Sequence, residues 1–220
     1  MTMKLAVFDC DGTLVDGQAD ICQTMVQAFE KARLSPPDAN DVRRIVGLSL
    51  SVAIRHLAPD LDDAKSREIV ELYKAAYFAR RQEGLLNEPL YDGIPELLTA
   101  LQAAGWTLAV ATGKSDRGLQ SVLAAHGLTD TFVSLQTADR HPSKPHPAML
   151  EAALFEAGAQ PSEAVMIGDT SFDMEMGRAA GVRAIGVAWG YHPPEELLAT
   201  GAELVAGTMD ELHAALEQHA

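Results

Sequence analysis

The chain has 220 residues, 47% apolar and 22% charged, with a formal net charge of −14 and two cysteines, Cys10 and Cys22. That length fits one domain with a large insertion, or two small ones, and the apolar share is enough to bury a sizeable core. So acidic a chain lacks the basic face that nucleic acid requires, no apolar run approaches a membrane span, and the cysteines allow one bridge at most. The opening MTMKLAVFD runs straight into strand-like sequence without a leader pattern, so the expectation is a protein of the reducing cytoplasm.

Met3 to Phe8 reads as a buried strand. After it the rhythm breaks. Ile21, Met25, Ala28 and Phe29 share one helical face, a Pro36–Pro37 turn follows, and Asp38 with Asp41 can cap a second helix. Ile69, Leu72, Tyr73, Ala76 and Tyr77 mark a longer helix, and no strand is visible in this stretch. The segment 16–87 is therefore expected to be a small all-helical domain. Its crossings to the core lie near Asp16–Gly17 and Asn87–Pro89, which leaves 1–15 and 88–220 as one catalytic core.

From residue 94 the pattern alternates. IPELLTALQAA (94–104) is a helix that Gly105 stops, and WTLAVA (106–111) is a strand. A helix follows near Arg117–His126, stopped by Gly127, and another runs from Pro147 to about Ala157. Val165–Ile167 is a strand, Ser171–Ala180 a helix closed by Gly181, Val182–Val187 a strand and Glu203–Ala206 a weak one. Thr208 and Glu211 form a capping pair for the last helix. Strands and helices in alternation imply an α/β fold: a Rossmann-like parallel sheet flanked by helices, interrupted by the helical insert.

The chemistry sits at the strand ends. Asp9 and Asp11 of DCDGT lie on one face, and ligands of open parallel sheets bind beyond the carboxyl ends of the strands. A polar turn is the competing explanation. Thr112 and Gly113, between a strand and a helix N-terminus, make a phosphate seat, or simply a capped turn. The letters GKS at 113–115 do not form a P-loop, because Leu108 stands where that loop needs glycine. Asp169 and Asp173 flank the start of another helix; macrodipole complementation explains one of them more easily than both. Lys144 is set between prolines in HPSKPHP. Four carboxylates gathered at one edge could not all stay ionised without cations, and Mg²⁺ with Lys144 would supply the charge. The paired aspartates then read as a nucleophile and a proton carrier aimed at a phosphate.

These residues resemble the haloacid dehalogenase-like phosphohydrolase superfamily, whose four motifs stand in order as DCDGT (9–13), ATG (111–113), the lysine of SKP (143–145) and GDTSFD (168–173). The resemblance implies that Asp9 attacks phosphorus and that Asp11 protonates the leaving oxygen and then activates water. Thr112, Gly113 and Lys144 would hold the phosphoryl oxygens. Mg²⁺ would be bound by Asp9, the Asp11 carbonyl and Asp169, with Asp173 as a ligand or just behind one. The helical insert would be the family's mobile cap. Phosphoglycolate phosphatase-like members are the nearest in pattern, which implies a small phosphorylated metabolite as the partner; sugar-phosphate phosphatases and mutases share the motifs. Arg43 and Arg44 of the insert are candidates for a second anionic group on the substrate. A phospho-accepting signalling receiver also clusters aspartates around Mg²⁺, but it has no helical insert after its first strand.

Overall fold

The computed structural model describes residues 3–218. Six parallel strands form one sheet in the order β3-β2-β1-β4-β5-β6: β1 (Leu5–Phe8), β2 (Thr107–Thr112), β3 (Ser134–Thr137), β4 (Ala164–Gly168), β5 (Arg183–Val187) and β6 (Leu204–Ala206). This is the doubly wound order, and it reverses direction between β1 and β4, where such sheets open a crevice for ligands. β1 is central, with Phe8 paired to Val110 on one side and to Ile167 on the other.

Both faces of the sheet are covered, so β1 carries apolar side chains at every position. Ala6 and Phe8 enter a cluster with Leu97, Leu98 and Leu101 of α5 (Ile94–Ala103), Leu119 of α6 (Asp116–Ala125) and Leu212 of α10 (Met209–Glu217). Leu5 and Val7 enter the opposite cluster with Met149 and Leu150 of α7 (Ala148–Ala157), Met174 of α8 (Ser171–Ala180) and Leu197 of α9 (Pro194–Thr200). All four β1 side chains are fully buried. At roughly 1.5–3 kcal/mol per buried aliphatic or aromatic side chain, this strand is the anchor to which the aspartates are attached.

Between β1 and α5 lie α1 (Gln18–Lys31), α2 (Ala39–Arg44), α3 (Leu50–Leu57) and α4 (Asp63–Gln82). They enclose a third apolar cluster of their own, with Ile21, Met25, Phe29, Val42, Ile54 and Ile69 at its centre. Asp38 caps α2 by accepting from Asn40 N at 2.8 Å, as its spacing suggests. The two chain crossings run side by side: Asp16 N donates to Pro89 O at 2.9 Å and Tyr91 N to Leu14 O at 3.0 Å. Among the described residues no helix is long and apolar enough to cross a membrane.

Three elements escape the sequence pattern. β3 reads SLQT, a polar edge strand with no apolar run to betray it. α3 and α9 are short, and their apolar spacing is overshadowed by the glycine and proline turns in front of them.

Candidate active site

The site forms where β1, β2 and β4 end. Asp9 N still donates to Ile167 O at 2.9 Å, so ladder pairing holds the backbone up to the first aspartate. Gly12 then turns the chain with φ of 89°; a Cβ here would lie 2.6 Å from Asp169 Cγ, so only glycine lets this loop approach β4. Thr13 Oγ1 donates to Asp169 Oδ1 at 2.8 Å, and Tyr191 N donates to Asp169 Oδ2 at 2.9 Å. The loop after β5 thus orients Asp169. Trp189 steadies the same corner by donating from Nε1 to Thr13 O at 3.1 Å.

Lys144 is buried between two carboxylates, 2.8 Å from Asp9 Oδ1 and 2.7 Å from Asp173 Oδ1. The second oxygen of Asp173 accepts from Thr170 N at 3.1 Å and from Thr170 Oγ1 at 2.7 Å. Asp173 therefore caps α8 and anchors Lys144 at once, and both of its oxygens are engaged. Oxygens of Asp9, Asp169 and Asp173 lie within 4.8 Å of one another, all three residues buried.

The electrostatics follow from that crowding. Burial, helped by the Asp173 charge and opposed by Lys144, pushes the Asp9 carboxyl up to about 7. Burial with the neighbouring Asp9 and Asp173 charges pushes Asp169 well above the usual carboxylate range. Burial works against the Lys144 ammonium, but Asp173 and Asp9 outweigh it and hold it above the ordinary lysine range. One buried ammonium faces three buried carboxylates, so with all three ionised two negative charges would need a further cation; without one, the raised Asp9 and Asp169 carboxyls hold protons instead. Oδ2 of Asp9 is buried and has no hydrogen-bond partner among the described residues. A compact all-oxygen donor set with a doubly negative excess when ionised and a free lone pair fits a hard divalent cation.

Thr112 is buried at the end of β2, and its Oγ1 accepts from Lys114 N at 3.2 Å. Gly113 sits under the insert: a Cβ there would lie 2.6 Å from the carbonyl oxygens of both Gly47 and Leu48. The turn therefore needs a bare backbone for the insert to rest on it. Ser49 N of the insert donates to Ser143 Oγ, beside Lys144, at 2.9 Å. A cavity of about 510 Å³ opens at this seam, lined by Asp9, Asp11, Thr112, Gly113 and Lys114 from the core and by side chains of the insert.

The structure brings Asp9, Asp11, Thr112, Gly113, Lys144, Asp169 and Asp173 to one edge. Arg43 and Arg44 do not join them and are absent from the cavity lining. Arg44 reaches across to Glu196 of α9 with a two-pronged contact of 2.6 and 3.0 Å, while Arg43 donates to Asn40 Oδ1 at 3.2 Å. Two residues that sequence reasoning passed over take part instead. Lys114 Nζ lies 3.0 Å from Asp11 Oδ1 and 2.7 Å from Glu88 Oε1, all three side chains nearly buried. Glu88 also accepts from Tyr77 Oη at 2.8 Å and from Arg81 at 3.1 Å, both on α4. The signal for Lys114 was its place one residue after the Thr112–Gly113 turn; Glu88, in the returning crossing, had none.

A parallel sheet with this strand order, a helical insert after β1 and an acidic cluster around a lysine define a class of hydrolase. Residues 6–187 match the haloacid dehalogenase-like hydrolase family, and the chain belongs to it. It is 35% identical over 213 residues to "Probable phosphatase IndB" of Dickeya dadantii, covering 94% of this chain and 91% of that protein. It is 31% identical over 218 residues to a phosphoglycolate phosphatase of Vibrio vulnificus, covering 96% and 94%. Among solved structures, a predicted phosphatase from Clostridium acetobutylicum shares the fold with a TM-score of 0.89 at 24% identity, covering 99% of this chain and 100% of that one.

Proposed function

We propose that this chain is a cytoplasmic, Mg²⁺-dependent phosphatase that hydrolyses a small phosphate monoester through a phosphoryl group carried on Asp9. The observation that carries the reading is Asp9 itself: one oxygen is held by Lys144 and the other is buried, unpartnered and beside Asp169. The phosphatase relatives support it, and the free thiols of Cys10 and Cys22 suit a reducing compartment.

In the first step an Asp9 carboxylate oxygen attacks phosphorus, the bond from phosphorus to the ester oxygen breaks, and Asp11 gives its proton to the departing alkoxide. Burial favours that protonated form of Asp11, while Lys114 opposes it. In the second step Asp11 takes a proton from water, the resulting hydroxide attacks the phosphoryl-aspartate, and phosphate leaves with Asp9 restored. Thr112, the Gly113 backbone and Lys144 hold the phosphoryl oxygens throughout. Mg²⁺, held by Asp9, the Asp11 carbonyl and Asp169, would neutralise the charge of the phosphoryl group. Asp173 keeps Lys144 in place. The insert, resting on Gly113, acts as a cap that excludes water from the reacting centre.

The test is Mg²⁺-dependent release of inorganic phosphate from an aryl phosphate. Asp9→Asn is expected to reduce kcat by at least about 10³-fold. Wild-type rates in that variant would remove Asp9 as the nucleophile.

A further inference from the structure

The cavity over the site is larger and less polar than a two-carbon phospho-acid requires. Its volume of about 510 Å³ is in the range that encloses a drug-sized ligand. Only the floor, with Asp9, Asp11 and Thr112, is suited to a phosphate. One wall is a stripe of α4 on successive turns: Val70, Tyr73, Tyr77 and Phe78 all reach the cavity. Tyr73 and Tyr77 are stacked, with ring centroids 5.7 Å apart and planes 18° from parallel. Ile21 and Met25 of α1 add aliphatic surface.

The cations that reach this space are already engaged. Lys114 is shared between Asp11 and Glu88. Arg81 pairs with Glu88 at 3.1 Å and lies over the Tyr77 ring, 5.4 Å from its centroid. Lys74 is exposed and pairs with Glu71. Arg117 is exposed at the mouth and covers the face of Phe78, 3.9 Å from the ring centroid. A carboxylate beside the phosphate floor would have to displace Glu88 from Lys114 or Arg81, or stay buried without a partner, and an unpaired buried charge is strongly disfavoured; Lys74 and Arg117 could meet one only at the exposed mouth, where solvent leaves such a pair worth little. An uncharged ring meets no such obstacle and gains an aromatic surface.

Resting on the phosphatase reading above, we infer that the substrate is a phosphate monoester whose alcohol carries an uncharged aromatic ring, bound against the Tyr73–Tyr77 wall. The experiment compares kcat/KM for benzyl phosphate, phosphoglycolate and glucose 6-phosphate with Mg²⁺ present. All three are esters of primary alcohols, so ring binding rather than leaving-group reactivity dominates the comparison. Benzyl phosphate is expected to exceed the other two by at least about tenfold. Tyr73→Ala should reduce its advantage over phosphoglycolate by about tenfold, mainly through KM, and Tyr73→Phe should keep it. A preference for phosphoglycolate or glucose 6-phosphate, or an advantage unchanged in a folded Tyr73→Ala protein, would overturn the inference and leave the phosphatase intact. Turnover of none of the three, nor of an aryl phosphate, would remove the phosphatase reading and this inference with it.

Discussion

Lys114 Nζ lies 3.0 Å from Asp11 Oδ1, so the proposed proton carrier is held by a cation from the turn after β2. The same ammonium is tied to Glu88, and Glu88 to Tyr77 and Arg81 of α4. Burial opposes the Lys114 charge, but Asp11, Tyr77 and Glu88 outweigh it and keep it protonated. Asp11 is thus connected by charge to the helix that walls the cavity. Lys114→Met should lower kcat by up to about 100-fold through misplacement of Asp11. Combined with Glu88→Gln in a double-mutant cycle, it should show a coupling of about 0.5–3 kcal/mol in kcat/KM. Strictly additive losses would mean that Glu88 does not act through Lys114.

The crowding of acids around Asp9 means that Mg²⁺, bound there as proposed, should stabilise the fold as well as serve catalysis. At a concentration about 100 times its Kd the ion should add about 2.7 kcal/mol, which for a chain of this size raises Tm by roughly 5–10 °C. Asp169→Asn should weaken Mg²⁺ binding by at least about tenfold and shrink that shift accordingly. Thermal unfolding with and without Mg²⁺ reads this independently of turnover. An equal shift in wild type and variant would exclude Asp169 from the metal site.

Glu88 also gives the fold a defined response to acid. Burial alone would raise its carboxyl, but Lys114, then Tyr77 and Arg81, bring it below the ordinary 4.5. A carboxylate lowered in the folded state stabilises it fully above the unfolded value, about pH 4.5, and stops doing so as pH falls through the lowered value. Glu88→Gln should therefore cost about 1–3 kcal/mol at pH 7, with the deficit shrinking below about pH 4.5. Urea titrations at pH 7 and pH 3.5 measure it. A deficit independent of pH would assign the loss to packing instead of charge.

How much of this was legible depended on whether a residue's role is local. β1, β2, β4 and β5 declare themselves because strands buried on both faces must be apolar throughout, and Asp9, Thr112 and Asp169 are conspicuous as the polar residues that interrupt them. Lys144 stood out through its flanking prolines. Glu88 could not be read that way: Tyr77 and Arg81 come from α4 and Lys114 from the turn after β2, and only the assembled fold brings them together. Arg43 and Arg44 show the opposite failure. Their charge suggested an anion, but α2 directs Arg44 toward Glu196 on the flank of the core, where Arg44 draws that carboxyl down. Trp189 and Tyr191, on the loop after β5, meet Thr13 and Asp169 only once β1, β4 and β5 lie side by side.

The absence of a side chain at position 113 has a consequence for how the two halves of the molecule meet. The carbonyls of Gly47 and Leu48 occupy the place a methyl group would take. Any other residue there would act as a doorstop, wedging the helices off the sheet. One missing carbon atom thus sets how closely the helical segment rests on the sheet.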